Sequence, residues 1–208
     1  MTNNVDDAND FEDVSPPRFA NRGRTFVYVL PCVGEDILKV GFSSAPLDRM
    51  RTLHSRYFEF FDLDRSFLIE TDYLRDARRI ERVLITTLVD HQAPSLLVIR
   101  RNAAGHTEWF RSAYPQALAV GKDICGKEAL VMHSPLRAWL VLHFNERLDF
   151  LYQWSSNLLN TIEFARQNGG AEIASHYAKA LHDVIDAYVA IGVAVSEHIP
   201  AECRFRSG

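Results

Sequence analysis

Long apolar runs are missing from this chain of 208 residues. The most extended, Tyr188 to Val195 with one Gly inside, is far too short to cross a bilayer, and the acidic N-terminus does not read as a signal peptide. No membrane is expected as a partner. Cysteine is scarce as well: Cys32, Cys125 and Cys203 form no CxxC pair and are odd in number, which argues against a disulfide framework or a cysteine zinc cage. A reducing cytoplasm is the expected setting. Positive charge is not in excess either, since 23 Lys and Arg face 27 Asp and Glu for a net charge of -4, so binding to nucleic acid by bulk electrostatics is disfavoured. Beyond the N-terminal tail there is no internal repeat or low-complexity tract.

What is present is ordinary globular composition, 47% hydrophobic and 24% charged, with the charge unevenly placed. Residues 1–24 hold five acids and three Arg, and are too poor in apolar groups to offset chain entropy, which predicts a disordered tail. Residues 25–112 hold twelve charges of each sign, with Arg49, Arg51 and Arg56 in one basic group and Arg75, Arg78, Arg79 and Arg82 in another. Such groups suit a phosphate ligand, or simply pair with helix carboxylates.

The β-branched and aromatic run Thr25 to Leu30, the turn signal Gly34-Glu35-Asp36 and the run Ile37 to Phe42 predict a hairpin. Pro46 in a first turn, with Ser44 or Ala45 near the cap, opens a short helix to His54. Asp64 to Thr71 reads as a third strand. Asp72 is placed to cap a helix from Tyr73 to about His91, whose Leu74, Ala77, Leu84 and Leu88 share a stripe. A short strand Leu96 to Ile99, a turn over Asn102 to Gly105 and an extended piece through Trp109 complete the order β-β-α-β-α-β. Residues 113–133 read as a linker or short helix interrupted by Gly121 and Gly126. Residues 134–199 read as a helical hairpin, one helix to Gln167 and another from Ala171 to His198, and 200–208 as a tail. Its apolar faces, with Trp139, Phe144, Trp154 and Tyr177, exceed what two helices cover between them. The surplus must meet the preceding domain, a second copy or another protein, and a homodimer through these helices is the expected solution.

The hairpin sets Tyr28 and Lys39 near one another on one face of the sheet, and Arg49 follows on the next helix. Glu81 intrudes on the apolar stripe of its helix, and a carboxylate there needs a partner, either a metal or an Arg such as Arg49. Val27-Tyr28-Val29, Lys39-Val40-Gly41, Arg49, Glu81 and the ending Glu108-Trp109-Phe110, taken in order, resemble the GIY-YIG endonuclease superfamily. The likeness is to the branch of phage and meiotically up-regulated proteins that carries KIG in place of YIG, and it covers about residues 25–112. It implies an α+β domain, a small mainly antiparallel sheet flanked by helices, to which the chain adds its helical hairpin. It also implies hydrolysis of DNA phosphodiesters with Mg²⁺ or Mn²⁺. On that resemblance Tyr28 or Lys39 handles the proton of the attacking water, Arg49 grips the phosphate, and Glu81 binds the metal. His54 is a candidate for assisting proton transfer, and Arg49, Arg51, Arg56, Arg78 and Arg82 for nucleic-acid contacts. The superfamily's late asparagine has no clear counterpart, Gln92 or His91 being nearest, and Glu108 reads as structural. The rival reading keeps the fold without the catalysis, as a DNA-binding or protein-interaction module.

Overall fold

Apolar runs through Thr25–Leu30 and Ile37–Phe42, buried on both faces, leave a short polar segment between them, and Gly34 turns the chain there at φ 72°. In the computed structural model, which describes residues 23–99 and 108–204, the result is an antiparallel hairpin of β1 (Thr25–Pro31) and β2 (Ile37–Ser43). Tyr28 stands opposite Gly41, and Leu30 opposite Lys39. With β3 (Phe67–Thr71), β4 (Trp109–Arg111) and β5 (Met132–His133) the hairpin forms a sheet in the order β4-β2-β1-β3-β5, every neighbouring pair antiparallel.

Both faces of the sheet are covered. Val27, Val29, Leu38, Val40, Phe67 and Ile69 pack against α3 (Leu74–Thr87), through Ala77, Ile80 and Leu84, and against α4 (Tyr114–Glu128). On the opposite face Phe26, Tyr28 and Leu30 meet α1 (Pro46–Leu53) and α2 (Tyr57–Phe60), then α5 (Leu136–Asn145), α6 (Leu148–Gln167) and α7 (Ala171–Ile191). A short α8 (Ala201–Arg204) follows.

Several boundaries differ from expectation. Strand β3 starts at Phe67 and not at Asp64, because the Asp62 carboxylate accepts the backbone N–H groups of Asp64 and Arg65 and holds a turn there. Helix α3 ends at Thr87 and continues as a 3₁₀ turn, Val89–His91; Asp72 does not cap it, being bound to Arg24. Leu96–Ile99 is a turn closed by the Ile99 N–H on the Leu96 carbonyl, and the expected turn at Asn102–Gly105 lies outside the described residues, as does nearly all of the expected tail at 1–24.

Residues 113–133 contain a full helix, α4, of 15 residues. Gly121 does not interrupt it. A Cβ there would come within 3.0 Å of both Phe67 and Met132, so the missing side chain is what seats α4 against the sheet. Ala129, with φ 53°, ends the helix, and the chain returns as β5 beside β3.

The long helix expected to reach Gln167 is broken at Glu146–Arg147. Leu136, Leu140 and Phe144 stay on the core beside the sheet, while the helix beyond the break pairs with α7; one straight rod cannot do both. Helix α7 stops at Ile191, where Gly192 adopts φ 103°, short of His198. The apolar faces of α5–α7 share one core with Tyr28, Leu30, Leu47, Met50 and Tyr57. Part of the surplus surface meets the sheet and short helices of the same chain, while Leu142, Phe150, Tyr152, Phe164, Ile173 and Val189 on these helices stay exposed. No helix among the described residues is long and apolar enough to cross a membrane.

Candidate active site

Tyr28 is 2% exposed, and its phenol lies across β2 in the space where a side chain at position 41 would stand. Gly41 is therefore a requirement of Tyr28's orientation. Helix α1 supplies the next group: Pro46 stands in its first turn, the Ser43 hydroxyl accepts the Ala45 N–H at 3.0 Å, and Leu47, Met50 and Leu53 turn to the core. That leaves Arg49 half-buried at the flank, where its Nε–H donates to the Tyr28 hydroxyl at 3.3 Å.

Lys39 shares Tyr28's face and is wholly buried. Its ammonium is ion-paired with Glu108 and lies 5.5 Å from the centre of the Trp109 ring. Glu108 is held in place by its own backbone, whose carbonyl accepts the Val40 N–H at 2.9 Å, and by the pairing of Lys39 with Trp109 across β2 and β4. The residue read as structural is thus the partner of the central lysine, and it is the one member of the site that sequence reasoning missed. Its signal was its place directly before the first residue of β4, next to the tryptophan that pairs with Lys39.

Glu81 projects from α3, half-buried, between the buried residues Ile80 and Leu84. Burial raises its carboxyl to about 7, helped by the negative charge of Glu108 and opposed by Lys39 and Arg78. These two cations stabilise its charge. The Tyr28 phenol is raised above its ordinary value, chiefly by burial, with Glu108 and Glu81 adding to the effect and Arg49 opposing it. Lys39 is lowered, again chiefly by burial; Glu108 opposes this and the like charge of Arg49 adds to it. Among the described residues no group of three or more His, Cys, Asp or Glu could hold a metal ion. What exists is two mutually repelling carboxylates, Glu81 and Glu108, beside one buried ammonium, a site that gains from added positive charge.

The remaining candidates separate. His54 stacks on Phe60 at 4.5 Å, with its Nδ1 buried and lacking a hydrogen-bond partner, and contributes to none of the shifts at Tyr28, Lys39 or Glu81. Arg51 pairs with Asp48 at 3.5 Å, and its charge acts on the buried phenols of Tyr57 and Tyr188. Arg56 binds Glu59 at 2.6 Å, Asp183 at 3.2 Å and Asp186 at 3.1 Å, so it ties α2 to α7. The ion pair of Arg51 lies within α1, whereas those of Arg56 join two helices. Arg78, over the Phe42 ring, and Arg82 are exposed on α3 beside Glu81, whereas Arg79 is bound to Glu128. Neither substitute for the late asparagine joins the cluster: Gln92 bridges to Phe110, and His91 Nδ1 lies 3.0 Å from the Arg111 carbonyl.

No curated protein and no solved structure matches the chain. Residues 25–125, which span the sheet strands β1–β4, helix α3 and most of α4, match the model of the T5orf172 domain, a family associated with GIY-YIG-like and HNH-type nuclease domains in phage.

Proposed function

We propose that the chain is a metal-dependent endonuclease that hydrolyses phosphodiester bonds in DNA. The observation that carries this reading is the convergence at β2 of the Arg49–Tyr28 hydrogen bond, the buried Lys39–Glu108 pair and the half-buried Glu81, whose charge acts on Tyr28 and Lys39 from α3. Arg49 offers a planar fork to the scissile phosphate, and the Tyr28 hydroxyl, whose proton burial retains, donates to a phosphate oxygen. Of the two groups able to take the water's proton, Lys39 is the better matched once its ammonium has released its own proton, a release that burial favours, while the pKa of Tyr28 is pushed up. Glu108 fixes the amine's position and offsets the positive charge that forms there. Glu81 would hold Mg²⁺ or Mn²⁺, with water and phosphate oxygens completing the shell; the ion when bound stabilises the departing oxyanion. Arg78 and Arg82, exposed on the same helix, would contact the strand's phosphates on either side.

The test is nicking of a supercoiled plasmid in Mg²⁺, compared with EDTA. Nicking by the native chain that EDTA stops, and that Glu81→Ala lacks while keeping its native melting temperature, is the expected result. A gel shift without cleavage under any metal would favour a DNA-binding module on the same fold.

A further inference from the structure

Phe26 and Tyr28 are alternate residues of β1 and belong to the same face of the sheet. Where Tyr28 lies toward β2, Phe26 borders a groove of about 590 Å³ between the ends of β1, β3 and β5 and the helix α5. That volume is within the range of about 300–1,000 Å³ usual for small-ligand sites. Residues 132–146, which build one side of it, lie outside the segment 25–125 that matches a family, and none of its residues belongs to the Tyr28 cluster.

The groove is lined by rings. Trp139 meets Phe26 edge-on at 5.6 Å, His143 stacks on Trp139 at 3.9 Å, and His133 stands 6.2 Å from Phe26 and 6.1 Å from Trp139. Phe26 and Trp139, at 4% and 5% exposure, form its floor, while the two imidazoles are half-exposed walls. His143 is oriented by its Nδ1, 2.9 Å from the Trp139 carbonyl. The polar groups restrict what such a groove accepts. Glu70 is engaged by His133 at 2.8 Å and by Arg24 at 3.4 Å, so it is not a member of a metal-binding set, and none is found among the described residues. A second carboxylate, Glu146, also lines the groove and repels a bare phosphate. A flat, uncharged ring with donors and acceptors along its edge satisfies all of these conditions: its faces meet aromatic walls, and its edge meets the Glu70–His133 pair.

We infer that the groove receives a nucleobase of a single-stranded segment flanking the phosphate held at Tyr28 and Arg49. The position of that phosphate rests on the proposed function; the ring-lined groove does not. The Tyr28 phenol lies over β2 and the groove over β3 and β5, two to three strand spacings of about 4.8 Å away across the sheet, so the base belongs to a nucleotide a few steps from the bound phosphate. A base inside a duplex has both faces stacked and its edge paired, and cannot enter. The substrate class is therefore single-stranded DNA or a duplex with an unpaired flank.

The test uses the full chain in EDTA, where nothing is cut, and fluorescence anisotropy of a labelled single-stranded oligonucleotide with an abasic site walked along it. One abasic position is expected to weaken binding about tenfold. His143→Ala, which places a good helix former on the surface of α5, is expected to lower binding of the intact oligonucleotide to the abasic level and to erase the difference between them. Arg49→Ala is expected to weaken both alike. A flat abasic series, a His143→Ala chain that binds the intact strand as the native chain does, or equal binding of a fully paired duplex overturns the inference. A flat series from a preparation that still nicks plasmid in Mg²⁺ rejects the groove and leaves the cleavage reading standing; base-dependent binding without nicking does the reverse. A thermal shift by free dAMP that His143→Ala abolishes, together with a flat series, assigns the groove to a free nucleotide and overturns the strand.

Discussion

Lys39 and Glu108 form one ion pair but are buried unequally: the lysine side chain is fully enclosed, whereas the carboxylate is 28% exposed. Removing either partner therefore has a different cost. Glu108→Gln leaves a buried ammonium without its counter-charge, and is expected to destabilise the fold by about 3 kcal/mol, the lower end of the range for a broken buried pair. Lys39→Met keeps the length, suits the apolar surroundings and leaves a carboxylate that water can reach, for a cost of about 1 kcal/mol or less. Urea unfolding of the two variants checks the order, and equal midpoints would show that Glu108 is not the lysine's stabilising partner. In the proposed reaction both variants cut at least about a hundredfold more slowly, since one lacks the amine and the other its orientation. Glu81 behaves in the opposite sense to a salt-bridged acid. Its carboxyl is raised from 4.5 to about 7, so between those values the folded chain retains a proton that the unfolded chain has lost. Stability contributed by this group is complete below about pH 4.5 and declines as pH rises through about 7, the sign expected when the native state binds more protons. Glu81→Gln should remove that decline and raise stability at pH 8 by on the order of 1–3 kcal/mol, read as the pH dependence of the unfolding midpoint in native and variant chains. Metal-dependent cleavage should rise through the same window, because a metal ion binds the carboxylate and not the acid.

At the scale of elements, the β1–β2 hairpin carries the site's geometry. Two apolar runs and a turn signal at Gly34 suffice to predict it, and the short connection between them also sets Tyr28 and Lys39 on one face. What the runs do not express is that Tyr28 faces a glycine. Gly41→Ala improves strand propensity in an ordinary setting, yet here the added Cβ would occupy the place of the Tyr28 phenol. The expected result is a loss of about 1–3 kcal/mol and a displaced hydroxyl that no longer meets Arg49. Tyr28→Phe removes only the hydroxyl and should keep the fold. If Gly41→Ala matches the native chain in both melting temperature and activity, the close approach of ring and strand does not matter to either. Helix α3 was legible for a different reason: the spacing of Ala77, Leu84 and Leu88 defines its buried stripe, and Glu81 stands out as the residue that intrudes upon it. Helix α4 was obscured because Gly121 and Gly126 weaken local propensity, while the close packing of Gly121 on Phe67 and Met132, which rewards the small residue, is a tertiary contact.

For the whole molecule, one apolar core runs from Tyr28 and Leu30 through Leu47 and Met50 to Trp139, Phe144, Leu151 and Tyr188. The site's face of the sheet is thus closed by the chain's last third, with Arg56 joining α2 to Asp183 and Asp186 on α7. A chain ended after residue 133 would expose this face, and is expected to be insoluble or to lack a cooperative thermal transition. A soluble truncated form with a sharp melt would show that residues 23–133 fold unaided. The sequence by itself determined the strands and helices whose periodicity is local, the order in which they come, and four residues of the candidate site, Tyr28, Lys39, Arg49 and Glu81, each of which sits where a strand face or a helix flank places it. Tertiary structure alone decided the rest. Glu108 becomes Lys39's partner only through the pairing of β2 with β4, across 69 positions of chain. The break at Glu146–Arg147 arises because one half of an apolar stripe serves the sheet core and the other half serves α7. Arg56 meets Asp183 and Asp186, and Arg51 comes near Tyr188, only because segments distant in sequence are near in space. Local patterns record which side of an element is buried; they do not record what is buried against it, and the charges of this site take their roles from that.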